Sequence, residues 1–148
     1  MNIQEGITIQ APRIKVWQLI SDIEGSDERI SGIKKIEILE KPKDGLIGLK
    51  WEETRIMFGK TATEVMWVTD EVDGFSYKTQ AEGPGVIYIS SLSLVEEGNQ
   101  TRLIMGFKSE ISSLGTKIIS AIMGLFFNKV TRDAIKEDLI DIKIAAEG

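Results

Sequence analysis

The pattern of apolar and polar residues predicts one long helix over residues 112–146, around which the other elements are arranged. This stretch holds no proline, and about 1.5 Å of rise per residue gives it a length of roughly 50 Å. Its first half is apolar on all sides. After Asn128 the apolar residues form one stripe among charged residues that include Asp138, and the stripe consists of Ile135, Leu139, Ile142 and Ala146. Because an all-round apolar segment needs cover on several sides, we expect the first half to be gripped by other elements and to line a pocket.

The N-terminal part of the chain changes from a strand pattern to a helix pattern and back. Apolar residues alternate with polar ones over 3–9, as in a half-buried strand, and Pro12 ends this pattern. Apolar residues then recur at helical spacing over 16–23, and a further short helical turn follows. A second strand begins near Ile33. We therefore expect two short helices between the first two strands.

Four turn signals divide residues 46–110 into a meander of antiparallel strands: Phe58-Gly59, Asp73-Gly74, Pro84-Gly85 and Gly98-Asn99. In a two-residue hairpin loop, the flanking residues pair so that their numbers sum to a constant. The predicted pairs are Glu53 with Glu64, Val68 with Thr79, Asp70 with Tyr77, Tyr77 with Leu92, and Leu92 with Met105. Together with the two earlier strands, the meander predicts an antiparallel sheet of about seven strands.

One face of this sheet collects most of the large apolar side chains together with a few charged ones. A slip of one residue at any turn would transfer part of this set to the other face, because side chains alternate along a strand. The set predicted to face the interior is Leu49, Trp51, Glu53, Arg55, Glu64, Met66, Val68, Phe75, Tyr77, Val86, Tyr88, Leu92, Leu94, Leu103, Met105 and Phe107.

The opposite face is mostly polar but carries one apolar group. An exposed apolar patch of this kind is typical of a contact with a partner protein or with a second copy of the chain. An error in the register would place the same residues in the core, so both interpretations stay open. We call these four residues the outer patch: Val65, Trp67, Ile87 and Ile89.

The order of elements and several motifs resemble the START-like, or helix-grip, superfamily (SRPBCC). The segments GLKWEETR (48–55), MFGK (57–60) and ATE (62–64) are similar to its polyketide cyclase/dehydrase-like group, as are IQAP (9–12) and LIDIK (139–143). One departure is Glu28-Arg29-Ile30, which stands where relatives often have an aromatic residue, so we expect a cavity mouth of different shape.

The resemblance covers nearly the whole chain and implies one START-like domain over residues 1–148 with an α+β helix-grip fold. In this fold a curved antiparallel sheet wraps around a long C-terminal helix, with two short helices after strand 1 and a mostly apolar cavity between sheet and helix. Members of the superfamily bind lipids, sterols, polyketides or other apolar molecules. A few catalyse cyclisation or dehydration, and some bind chaperones.

Composition excludes several kinds of function. The chain has no cysteine and no histidine, so disulfides, thiolate metal sites and the commonest general base are absent, and we expect no metal and no cofactor. A formal net charge of -5 without a basic cluster argues against nucleic acid. The longest nearly apolar run is about half of a bilayer span, and the first residues lack a secretion signal. We therefore expect a cytoplasmic protein without stable membrane insertion.

The residues expected to bind a ligand lie on the inner face of the sheet and on the first half of the long helix. The two tyrosines among them can orient a ligand carbonyl, or they can be core residues with satisfied hydroxyl groups. The helix residues can equally form plain core. The predicted set is Trp51, Arg55, Met66, Tyr77, Tyr88, Leu92, Met105, Phe107, Ile119, Ile122, Met123 and Phe126.

Glu53, Arg55 and Glu64 are the candidates for acid/base chemistry. The register places Glu53 opposite Glu64 with Arg55 two residues along, so that one guanidinium can brace both carboxylates. Two close carboxylates in a poorly solvated site do not both ionise cheaply, which raises the pKa of one of them. The alternative is a structural ion-pair cluster near the rim of the sheet.

Three functions fit these observations. The first is the binding of a small hydrophobic molecule between the sheet and the long helix. The second is a cyclase or dehydratase reaction with Glu53 or Glu64 as general base and Arg55 steadying an enolate. The third is a protein-interaction or dimerisation module that uses the outer patch. The absence of histidine favours binding over catalysis.

Overall fold

The computed structural model describes residues 2–57, 59–83, 85–111 and 114–148, with the side chains of all of these except 57, 83 and 111–127. The strands are β1 (Asn2–Ile9), β2 (Ile33–Glu40), β3 (Lys50–Met57), β4 (Lys60–Val72), β5 (Ser76–Gly83), β6 (Val86–Glu97) and β7 (Gln100–Ile111). The helices are α1 (Arg13–Ile20) and α2 (Leu114–Glu147), and a 3₁₀ turn covers Ser26–Glu28.

The strands form one antiparallel seven-stranded sheet in the order β1-β7-β6-β5-β4-β3-β2. The meander accounts for the neighbours from β3 to β7, while α1 and the 3₁₀ turn carry the chain from one edge strand, β1, to the other, β2. The curved sheet and the long C-terminal helix confirm the predicted helix-grip fold. The two short helices predicted after β1 are one α-helix and one 3₁₀ turn.

Most of the predicted register is confirmed. Glu53 pairs with Glu64 across β3 and β4, Tyr77 pairs with Leu92 across β5 and β6, and Leu92 pairs with Met105 across β6 and β7. Three of the four turns therefore place the strands as their glycine positions predict. The interior face can be identified from these pairs.

The hairpin between β4 and β5 contradicts the predicted two-residue turn. Val72 pairs with Ser76, so the loop has three residues, and Gly74 takes a φ of 82°, which glycine adopts without strain. Phe75, predicted on the interior face, consequently lies in the loop and is 44% exposed. The guanidinium carbon of Arg13 lies 4.0 Å from its ring centroid.

The extra loop residue also shifts part of the pairing between β4 and β5. Tyr77 pairs with Glu71, not with Asp70 as the two-residue turn predicted. A β-bulge between Val68 and Asp70 then restores the register, so that Val68 pairs with Thr79 as expected. The error in the predicted register is therefore confined to the turn end of the β4–β5 hairpin.

The second half of α2 packs on the core through the predicted stripe. Ile135, Leu139, Ile142 and Ala146 are all buried. The same core cluster includes the buried residues of α1, which are Val16, Trp17 and Ile20. Within the part of the chain that the structure describes, no helix is both long and apolar enough to cross a bilayer.

Polar contacts fix the second half of α2 to the edge strand β1. Arg132 forms an ion pair with Glu5, and Lys143 Nζ donates to the Thr8 carbonyl at 2.8 Å. Glu147 accepts a hydrogen bond from the backbone N–H of Gln10 at 2.7 Å. These contacts hold the inward residues of this half of α2 at a defined place over the sheet.

Candidate functional site

A cavity of about 120 Å³ lies between the inner face of the sheet, the segment that links β1 to β2, and α2. Its wall is mostly apolar, with a group of charged side chains on β3 and α2 and a further cation, Arg29. The sheet contributes Trp51, Glu53, Arg55, Met66, Tyr77, Thr79, Ser90, Leu92 and Met105. Six of the residues predicted to bind a ligand are in this set: Trp51, Arg55, Met66, Tyr77, Leu92 and Met105.

The wall opposite the sheet was not foreseen from the sequence. The chain from the end of α1 to the start of β2 folds across the inner face and contributes seven residues, and α2 adds Asp138 and Ile142. At the position where relatives often carry an aromatic residue, Arg29 lines the cavity, and it donates to Asp22 Oδ2 at 3.0 Å and to the Leu19 carbonyl at 3.1 Å. The seven residues are Leu19, Ile20, Ile23, Ser26, Arg29, Ile30 and Ile33.

The charged group in the cavity wall is an ion triad of Glu53, Arg55 and Asp138. Arg55 Nε donates to Glu53 Oε2 at 2.7 Å, and its Nη1 and Nη2 donate to the two Asp138 oxygens at 3.3 Å and 2.8 Å. Trp51 Nε1 donates to the other Glu53 oxygen at 3.3 Å. Taken as a whole residue, Asp138 is only 6% exposed. The triad therefore ties β3 to α2 inside the cavity wall.

Burial and pairing act in opposite directions on this triad. Burial by itself would lower the pKa of Arg55, but Asp138 and Glu53 reverse this effect and hold the pKa above its usual value, so that Arg55 stays charged. Burial raises the pKa of the Asp138 carboxyl above its usual range, and Arg55 offsets only part of that rise. The triad thus consists of one permanent cation between two carboxyl groups.

The second carboxylate braced by Arg55 was assigned wrongly from the sequence. It is Asp138, not Glu64, because the guanidinium is turned toward α2 by its two bonds to Asp138. Glu64 faces Glu53 across the strands as predicted, but it remains exposed. Desolvation and the neighbouring Glu53 charge raise the pKa of Glu64, while Arg55 lowers it in part.

The helix pattern placed Asp138 among the charged residues that surround the apolar stripe of α2, whereas the structure buries it. It lies three residues after Ile135 and four before Ile142, a spacing that places all three on one side of a helix. The sequence therefore held the signal of an acidic residue on the buried stripe. Its partner Arg55 could not be identified from α2 alone.

The two tyrosines have different surroundings. The Tyr77 hydroxyl is buried and donates to the Ile20 carbonyl at 2.9 Å, and burial raises the pKa of Tyr77 above its usual range. Tyr88 and Phe107 lie farther along the inner face, with ring centroids 5.8 Å apart, and they are not among the cavity-lining residues that the structure describes. Tyr77 thus has the satisfied hydroxyl of a core residue.

Four predicted ligand-binding residues on the first half of α2 fall outside the described side chains. They are Ile119, Ile122, Met123 and Phe126. Their assignment to a ligand stays a prediction.

The outer patch is on the outer face, and each of its residues is half-buried. It is divided into two apolar pairs by β5, because Gln80 lies between Trp67 and Ile89, and Glu82 pairs with Ile87. The polar residues Gln80 and Glu82 on β5 therefore separate the apolar residues of β4 from those of β6. They interrupt the continuous apolar surface expected of a docking site. Its role as a partner surface stays a prediction.

Asn128 lies on the side of α2 that faces the sheet, because it precedes Ile135 by two helical turns. Its Oδ1 is buried and has no hydrogen-bond partner in the structure as far as its residues are described. An unpaired buried acceptor costs about 1–3 kcal/mol, so a donor that reaches it would be stabilising. Among the described residues, no group of acidic side chains is arranged to hold a metal ion.

Comparison with known proteins identifies the fold of the chain through solved structures of low sequence identity. The sequence matches no protein-family model and no curated protein. Among solved structures, the Zhui aromatase/cyclase from Streptomyces sp. R1128 superposes with a TM-score of 0.83 at 16% identity, covering 99% of this chain and 93% of that chain. TTHA0849 from Thermus thermophilus gives a TM-score of 0.81 at 14% identity, with 99% and 97% covered.

A START superfamily protein from Mycobacterium smegmatis gives a TM-score of 0.66 at 15% identity, with 92% of this chain and 97% of that chain covered. At these identities the similarity is one of fold. The chain shares the helix-grip fold with a START superfamily protein and an aromatase/cyclase, which confirms the fold that the resemblance implied.

Proposed function

We propose that this START-like chain acts as a single cytoplasmic domain that binds a small hydrophobic molecule between the sheet, α1 and the second half of α2. The observation that carries the proposal is the cavity, which is walled by apolar side chains from all three and has only four charged residues among those described: Arg29, Glu53, Arg55 and Asp138. Such a site, apolar with a few placed polar groups, is typical of small-molecule binding.

The size of the cavity indicates which part of a ligand it takes. A dry cavity of roughly 150 Å³ in another protein holds benzene, so about 120 Å³ suits one ring-sized group. Burial of apolar ligand surface contributes roughly 25 cal/mol per Å² and supplies the driving force. A larger ligand would continue along the inner face toward Phe107 and Tyr88, which the sequence predicted as ligand-binding residues.

The two other functions have less support from the geometry. Glu53 accepts hydrogen bonds from Trp51 and Arg55 and so takes part in a structural ion-pair cluster, the alternative to an acid/base role. Desolvation raises the pKa of Glu64 above its usual value, but Glu64 is exposed and lies outside the described cavity wall. The divided outer patch adds nothing in favour of a partner.

Ser90→Leu tests the proposal by filling the cavity. Ser90 lines the cavity wall, and a leucine there would occupy space that a ligand needs. We expect the variant to bind pentylbenzene at least about tenfold more weakly, which corresponds to 1.4 kcal/mol, and to keep the melting temperature of the parent. Isothermal titration calorimetry and thermal unfolding measure the two quantities.

Ser93→Leu is the matched control, because Ser93 lies on the same strand but on the opposite face, paired with Ile104 and Ser76. It should bind pentylbenzene like the parent. Equal binding by parent and Ser90→Leu would contradict the proposed cavity, and so would a parent protein that binds no apolar molecule from a broad lipid and aromatic panel.

A further inference from the structure

Three hydrogen-bond donors of the cavity wall are already used by the protein. The Tyr77 hydroxyl donates to the Ile20 carbonyl, and Trp51 Nε1 donates to Glu53. The Ser26 hydroxyl donates to the Ile23 carbonyl at 2.7 Å. Because each of these groups carries a single N–H or O–H, none has a proton left for a ligand. The wall also holds the hydroxyl groups of Thr79 and Ser90, each of which can donate or accept.

Each of the two cations of the wall is paired with protein carboxylates, and Arg55 uses three of its five N–H groups in this way. Arg29 donates to Asp22 and to the Leu19 carbonyl. Arg55 donates to Glu53 and Asp138, and its Nη1 side is covered by Gly32, where an added Cβ would lie 3.3 Å from Nη1. Neither guanidinium is therefore presented to the cavity as an unpaired positive charge.

The acceptors of the wall, by contrast, are in excess. Each carboxylate has about four lone-pair sites, and in the triad two carboxylates share three N–H donors from Arg55 and one from Trp51. With both carboxyl groups ionised, the triad carries a net negative charge.

We infer that the ligand bound here carries a hydrogen-bond donor, a hydroxyl or amino group, on the ring-sized end that enters the cavity, and that carboxylates are excluded. The inference rests on the proposed binding function and specifies its ligand class. A neutral or cationic donor fills the free acceptor sites of Glu53 and Asp138. A carboxylate would lose its hydration and meet the net negative charge of the triad, and the second arginine of the wall, Arg29, is already paired with Asp22.

Three matched probes separate this inference from the proposed function: pentylbenzene, 4-pentylphenol and 4-pentylbenzoate at neutral pH. We expect the phenol to bind about tenfold more tightly than pentylbenzene, because it donates to a charged acceptor. We expect the benzoate to bind at least about tenfold more weakly than pentylbenzene. Titration calorimetry on the full chain gives the three dissociation constants.

A variant that removes one charge tests whether the triad causes the preference for the phenol over the benzoate. Glu53→Gln keeps the shape of the side chain and removes one negative charge, so the ratio of benzoate to phenol dissociation constants should fall by about tenfold. Glu52→Gln, one residue away on the outer face of the same strand, should leave that ratio unchanged. The comparison among probes in the parent protein stands even where a variant folds poorly.

The outcomes distinguish the two levels of the proposal. A phenol that binds more tightly than pentylbenzene, with the benzoate weakest, supports the inference. A benzoate that binds as tightly as the phenol overturns the inference but leaves an apolar binding site intact. Failure of all three probes to bind contradicts the proposed function itself, and the inference with it.

Discussion

Replacing Arg55 by alanine should lower the free energy of unfolding by about 3–5 kcal/mol, because it leaves two buried carboxyl groups without their shared cation. In the folded protein, Arg55 makes bonds of 2.7 Å and 2.8 Å to Glu53 and Asp138, and the two carboxyl side chains are only 12% and 9% exposed. Unfolding in urea, followed by far-UV circular dichroism, measures the change.

A triple replacement is the control for this prediction. Glu53→Gln, Arg55→Met and Asp138→Leu together remove every charge of the triad and leave an acceptor for Trp51 Nε1. Because an apolar replacement of a complete buried ion cluster is often neutral, the triple variant should recover most of the stability lost in Arg55→Ala. If the free energy of unfolding of Arg55→Ala lay within about 1 kcal/mol of the parent value, the burial of the triad seen in the structure would be contradicted.

Leu139→Ala should lower the free energy of unfolding by about 2–5 kcal/mol, through lost burial and the cavity left behind. Leu139 is 2% exposed at the centre of the buried stripe of α2, between Ile135 and Ile142. The same urea unfolding experiment measures the loss. A large effect would show that this half of α2 is an integral part of the core.

Ile140→Ala is the control for Leu139→Ala because it is the next residue of the same helix and is 50% exposed. Its stability should change by no more than about 0.5 kcal/mol. Similar losses in the two variants would contradict the one-sided packing of the second half of α2.

Local patterns predicted the sheet well because its turns have distinct sequences. Glycine positions fixed three hairpins, and the alternation of side chains then placed Trp51, Met66 and Met105 on one face. The β4–β5 hairpin failed because Asp-Gly suits both a two-residue loop and the observed three-residue loop. The bulge after Val68 that compensates for it has no comparable sequence signal.

The site was harder to predict because it depends on contacts between distant segments. Nothing local indicates that Leu19, Ile23 and Ile30 fold back over the inner face of the sheet. Asp138 and Arg55 are separated by 83 residues, and only the packing of α2 brings them together. The helical position of Asp138 indicated burial, but the identity of its partner required the fold.

An apolar ligand should bind in the cavity on the inner face of the sheet, next to Trp51, and not on the outer face, next to Trp67. The chain has three tryptophans, so labelling with 5-fluorotryptophan gives one ¹⁹F signal for each residue, which single Trp→Phe variants assign. On titration with 4-pentylphenol, the Trp51 signal should shift and saturate while the Trp67 signal stays in place. A saturable shift of Trp67 alone, or no saturable shift at any tryptophan, would contradict the account.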